Sequence, residues 1–171
     1  MVNLTTKERL LLEDEKSHET LCVSKYNDYS NRAKCQELKQ LFSSLAKKEQ
    51  QHLDSINQIL SGTVPNVNSG GQSNQNQQNQ QNQQNQQMQQ NSTLSMPNIG
   101  NNVSSSSYDE NDKMLCQDTL STEKYVSATY NTAIFEFKDK NIRQVLNHIQ
   151  KEEQEHGEQI YNYMNQHNMY N

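Results

Sequence analysis

Apolar and polar positions follow a helical period on both sides of a long polar middle. Around Thr5 to Asn31, the residues Leu11, Leu12, Cys22, Val23 and Tyr26 recur at helical spacing. Thr5-Thr6-Lys7-Glu8 ahead of them has the form of a capping box, which predicts that a helix starts there. From Lys34 to Leu60, the residues Leu38, Leu41, Phe42, Leu45, Leu53, Ile56 and Leu60 fall on one face of a second helix. The two helices form a hairpin that turns near Asn31 to Ala33. After the polar middle the plan repeats, with one helix from Glu110 to Phe137, a turn at Lys138-Asp139-Lys140, and another helix from Asn141 to Gln166. No strand pattern competes.

The middle, residues 61–111, contains both prolines and four Asn-Gln-Gln triplets starting at Asn76, Asn79, Asn82 and Asn85. Such a stretch buries too little apolar surface to offset its ordering entropy, so it reads as a disordered linker. A second reading makes the Asn/Gln repeats an assembly element that associates through side-chain ladders. The expected division is therefore a first hairpin over 1–60, a linker over 61–111 and a second hairpin over 112–171, with the two hairpins sharing one core.

The likeness between the hairpins goes beyond pattern. With a constant offset of 104 and no gap, residues 8–60 match residues 112–164 at 13 positions, including Leu11, Glu19, Tyr26, Lys47, Glu49, Gln50, His52 and Ile56. This is an internal duplication. A hairpin with one apolar face must cover it, and its own copy is the ready partner, which predicts an all-α four-helix bundle with pseudo-twofold symmetry.

The duplication also carries the candidate chemistry. Glu49 and His52 form a Glu-x-x-His pair whose twin is Glu153 and His156, and Glu19 of the first helix is matched by Glu123 of the third. Residues three apart on a helix share a face, so each pair can bind one metal. Leu45 and Ile56 flank Glu49 and His52 by one turn, which makes that face the core face. With a turn near residue 32, Glu19 and Glu49 lie at similar heights. Four carboxylates and two imidazoles then converge at mid-bundle, the ligand set of a site for two iron or two manganese ions. Without cations, four buried carboxylates would cost several kcal/mol each in lost hydration and repulsion. The plainer alternative is an empty or vestigial polar core.

Composition narrows the classes. The chain has 171 residues, 20 acidic against 15 basic, and no Lys/Arg block, which argues against nucleic acid or an anionic membrane as a partner. No apolar run is long enough to span a bilayer, and the charged N-terminus lacks a signal-peptide core, so a soluble protein made in the cytoplasm is expected. Three cysteines without a paired motif speak against a disulfide framework or a thiolate zinc site, and Cys22 and Cys116 read as core residues. His18, His148 and His167 have no symmetric partners and read as surface residues.

With these residues in view, the pattern Glu19, Glu49-Gln50-Gln51-His52, Glu123, Glu153-Gln154-Glu155-His156 on two hairpins resembles the ferritin-like superfamily of rubrerythrins, bacterioferritins and manganese catalases. Tyr26 and Tyr130 each follow the first glutamate of their half by seven residues, where the resemblance implies a tyrosine beside the metals, with a redox role. As structure alone they are ordinary core residues. The stretch from Tyr130 to Asn165 is similar to the characteristic segment of the coat-F-like spore coat family. That resemblance implies an endospore-forming bacterium, residence in the spore coat, and other coat proteins as partners. Three functions stay open: a di-iron or di-manganese oxidoreductase acting on peroxide or dioxygen, as peroxidase, catalase or ferroxidase; a structural coat protein; and a metal store. Self-association with exchanged hairpins is compatible with a linker this long.

Overall fold

The computed structural model describes residues 2–66 and 108–170, which form four helices: α1 Thr6–Arg32, α2 Gln36–Leu60, α3 Glu110–Glu136 and α4 Lys140–Gln166. The Asn/Gln repeats lie outside the described residues. The capping box at the start of α1 forms, with the Thr5 hydroxyl accepting from the Glu8 amide and the Glu8 carboxylate accepting from the Thr5 amide. In α3 and α4 the first free amides are met by the N-cap carboxylates of Asp109 and Asp139. The first turn falls at residues 33–35, so α2 begins two residues later than its periodicity suggests. No described helix is long and apolar enough to cross a membrane.

The helices pair as two hairpins, α1 with α2 and α3 with α4, and the hairpins pack on each other through α1 against α3 and α2 against α4. Tyr26 meets Glu123 while Tyr130 meets Glu19, so α1 and α3 run antiparallel. His52 meets Glu153 while His156 meets Glu49, so α2 and α4 do the same. Every one of these pairs maps onto its counterpart by the 104-residue offset, which makes the pseudo-twofold axis a feature of the packing as well as of the sequence. Two pairs of symmetry mates touch across the axis itself, His52 with His156 and Lys48 with Glu152.

The buried positions repeat in the same way. In α1 they are Glu8, Leu12, Glu15, Glu19, Cys22 and Tyr26, alternating in steps of four and three. In α3, Asp112, Cys116, Thr119, Glu123, Val126 and Tyr130 stand at the equivalent places. This is a heptad-like stripe that packs one helix along another at a shallow angle. Cys22 and Cys116 are core residues, whereas Leu11 and Val23 are only half-buried, because carboxylates occupy half of the α1 stripe.

Two apolar clusters fill the ends of the bundle. One holds Tyr26, Leu38, Phe42, Leu45, Leu115 and Ile160, the other Leu12, Ile56, Val126, Tyr130, Ile142, Leu146 and Ile149. Tyr26, Leu38, Phe42 and Leu45 of the first are the symmetry mates of Tyr130, Ile142, Leu146 and Ile149 of the second. Each large side chain buried in this way contributes about 1.5–3 kcal/mol. Between the two clusters the core is polar.

Acidic residues at the helix starts interlock the hairpins. Asp112 of α3 accepts from the backbone amides of Lys34 and Cys35, in the α1–α2 turn, at 2.7 and 2.8 Å. Its mate Glu8 of α1 accepts from the Lys138 amide, in the α3–α4 turn, at 3.1 Å. Each hairpin thereby satisfies amides in the turn of the other, which fixes the height at which α1 and α3 meet and with it the height of the polar layer.

Candidate metal centre

Glu19 and Glu123 project inward from the middle of α1 and α3, and the Glu-x-x-His pairs project inward from α2 and α4, so that six side chains meet in the polar layer. All six are buried: Glu49, Glu19 and Glu153 are 0% exposed and Glu123, His52 and His156 are 2% exposed. They divide into two overlapping groups, Glu19, Glu49, His52 and Glu153 on one side, and Glu49, Glu123, Glu153 and His156 on the other. Within each group the donor atoms lie within 4.8 Å of one another. Glu49 and Glu153 belong to both groups, so either could face an ion held on either side.

Distances follow the pseudo-twofold. His52 Nδ1 is 2.8 Å from Glu153 Oε1 and 3.7 Å from Glu19 Oε2, while His156 Nδ1 is 2.9 Å from Glu49 Oε1 and 3.6 Å from Glu123 Oε2. The two imidazole rings stack at 5.4 Å. On the outer side of each terminal glutamate stands a tyrosine of the other hairpin. Tyr26 donates its phenol proton to Glu123 Oε1, and Tyr130 donates to Glu19 Oε1. That leaves Oε2 of each glutamate turned to the centre.

The polar atoms that face inward lack hydrogen-bond partners. Among the described residues, nine buried side-chain atoms are unpartnered, and eight of them are Glu19 Oε2, both oxygens of Glu49, His52 Nδ1, Glu123 Oε2, both oxygens of Glu153 and His156 Nδ1. Seven of the eight lie 2.8–3.7 Å from an imidazole or carboxylate of the same cluster and make ion-pair contacts without a hydrogen bond. A buried group short of a hydrogen bond costs about 1–3 kcal/mol, more when charged, a deficit that cations could relieve. The donor set of carboxylates and imidazoles, without thiolates, suits iron or manganese. Two divalent ions would balance four ionised carboxylates.

Protonation in the absence of ions shows the strain. Burial pushes Glu19 up to about 7, against the pull of His52, and pushes Glu153 well above the ordinary carboxylate range. Glu49 experiences the same burial, yet His156 and His52 outweigh it and hold it at about 2. Burial disfavours both imidazolium forms, but Glu123 and Glu49 raise His156 to about 9, and Glu152 with Glu153, Glu19 and Glu49 raises His52 well above its usual value. Tyr26 and Tyr130 stay firmly protonated because burial and the adjacent carboxylates oppose the phenolate.

Sequence reasoning overlooked Glu152. Its Oε2 lies 3.0 Å from His52 Nε2, on the side of the ring away from the centre, and the carboxylate also meets Lys48 at 3.3 Å and His148 at 3.4 Å. A signal was present, because position 48 against 152 is a charge reversal inside the best-matched stretch of the duplication. His148 is a half-exposed partner of this carboxylate, and His18 is partly buried against Glu15 at 3.3 Å; neither is simply a solvated surface group.

No curated protein and no solved structure matches the chain. The second hairpin does find a relative among protein families: residues 111–171, about a third of the chain, match the family model described as the Coat F domain.

Proposed function

We propose that this chain is a spore coat protein of ferritin-like architecture whose bundle holds two iron or two manganese ions. The coat assignment rests on the Coat F match across α3 and α4. The metal assignment rests on one observation above the others, the convergence of eight donor atoms without a hydrogen bond, from six buried side chains, in two overlapping groups. Glu19 and His52 would serve one ion, Glu123 and His156 the other, and Glu49 with Glu153 would serve both. Tyr26 and Tyr130 orient the terminal glutamates and stand close enough to the centre to serve as redox neighbours. A pair of iron or manganese ions supplies two-electron chemistry toward peroxide or dioxygen. The apolar clusters at both ends keep bulk water from the site, and in the coat such chemistry would remove oxidants.

A second reading, a structural block with an ion-paired and metal-free core, draws on the 2.8 and 2.9 Å imidazole–carboxylate contacts. Elemental analysis separates the two. Replacing both bridging residues, Glu49→Ala with Glu153→Ala, should reduce bound iron or manganese from about two ions per chain to near zero while the helices persist by circular dichroism. Unchanged metal content in that variant would dismiss the ligand assignment.

A further inference from the structure

Among the places where the pseudo-twofold that relates the two ion positions is broken, one touches a ligand-type histidine directly. His52 Nε2 faces the Glu152 carboxylate at 3.0 Å, and Lys48 and His148 hold that carboxylate from its outer side at 3.3 and 3.4 Å. A carboxylate only accepts, so the neutral ring needed for ligation carries its hydrogen on Nε2 and presents the Nδ1 lone pair to Glu19, Glu49 and Glu153. The 104-residue offset takes Glu152 to position 48 and His148 to position 44, which are Lys48 and Ser44. The matching place beside His156 therefore carries a lysine rather than a carboxylate. Lys48 instead leans across the axis and pairs with Glu152.

We infer that the two positions are unequal: the one built on Glu19 and His52 binds its ion more tightly and fills first, with Glu152 as the positioning residue that sets the order. The inference rests on the dinuclear reading above. A carboxylate on the distal N–H of a ligating histidine locks ring orientation and raises the basicity of the other nitrogen, and losing such a partner costs about 10–100-fold in metal affinity. Only one of the two histidines has one from this pair of positions. An ordered filling gives a chain with a single ion when metal is scarce and a complete pair only when it is plentiful.

Repulsion between two ions separates the binding steps even in a symmetric pair, so the test compares single positions. The full-length apo chain carrying His156→Ala, which keeps the His52 position, and the chain carrying His52→Ala are each titrated anaerobically with Mn(II) by calorimetry. The His156→Ala chain should bind about tenfold more tightly or better, and adding Glu152→Gln should remove that advantage while leaving the His52→Ala chain nearly unchanged. Equal affinities, or an equal loss in both on adding Glu152→Gln, overturn the inference and leave the dinuclear reading standing. If neither single variant binds, Glu152→Gln in the otherwise natural chain decides: a first step weakened about tenfold supports the inference, and an unchanged first step overturns it. A folded natural chain that binds no Mn(II) or Fe(II) overturns the dinuclear reading, and the inference with it.

Discussion

Glu49 and Glu153 are symmetry mates with the same burial, yet without ions they sit on opposite sides of the ordinary carboxylate range. Six ionisable groups buried against one another cannot all adopt the form each prefers, so protons are distributed among them. Ions entering the site must displace those protons. Glu19, held at about 7, and His156, held at about 9, both carry protons over much of the neutral range and must lose them to ligate. Affinity therefore rises with pH, by about tenfold per unit for each proton displaced. Titration with Mn(II) at about pH 6 and about pH 8 should show this rise, and a flat affinity across the interval would mean that these residues are not the ligands.

Which residues could ligate was legible because a constant offset paired Glu19 with Glu123 and each Glu-x-x-His with its twin. Glu152 was not, because its contact with His52 crosses from one hairpin to the other and depends on helix rotation, on which the spacing of apolar residues is silent. The buried acids Glu8 and Asp112 stayed hidden for the same reason. Each looks like an ordinary first-turn carboxylate until the opposite hairpin is in place.

At the level of the element, helix existence and length were legible from periodicity and caps, while the composition of the buried stripe was not. In α1 the stripe includes Glu8, Glu15 and Glu19, so its apolar pattern is weak and drew Leu11 and Val23 toward a core they only partly enter. The stripe is accounted for by its contacts. Glu8 and Asp112 reach the turns of the opposite hairpins, Glu15 meets Thr129 at 3.0 Å, and Glu19 enters the polar layer. Asp112→Ala removes the acceptor for two turn amides without disturbing the α3 N-cap at Asp109. Charge-assisted hydrogen bonds of this kind are each worth about 1.5–3 kcal/mol, so a loss of about 3–6 kcal/mol is expected in urea denaturation of the metal-free chain. A loss below about 0.5 kcal/mol, the range of an ordinary surface substitution, would show that the interlock does not hold the hairpins in register.

For the whole molecule, the described ends define what the connection must span. The end of α2 lies beside the chain start, where the Val2 amide donates to the Gly62 carbonyl, whereas the start of α3 lies at the opposite end beside Lys34 and Cys35. Helices of this length make that distance about 40 Å. At about 3.4 Å per residue, at least a dozen fully extended residues are needed to close the bundle within one chain. Replacing residues 61–108 with a four-residue connector, far short of that span, should therefore force two chains to exchange hairpins into a dimer, while a Gly/Ser connector of about 25 residues restores whatever assembly state the full-length chain shows. Light scattering after gel filtration distinguishes them, and a folded monomer with the short connector would contradict the observed direction of α3.

The bundle, its interlocked turns and its two apolar ends all bring six ligand-type side chains into one polar layer, proposed above to hold metal. The most direct test is iron and manganese per chain, measured by elemental analysis on protein purified without chelator and then reloaded anaerobically with each ion. A value near two with at least one of them is expected. A value near zero with both, in a chain that is fully helical, would contradict the proposal and leave a bundle with an ion-paired core and no metal role.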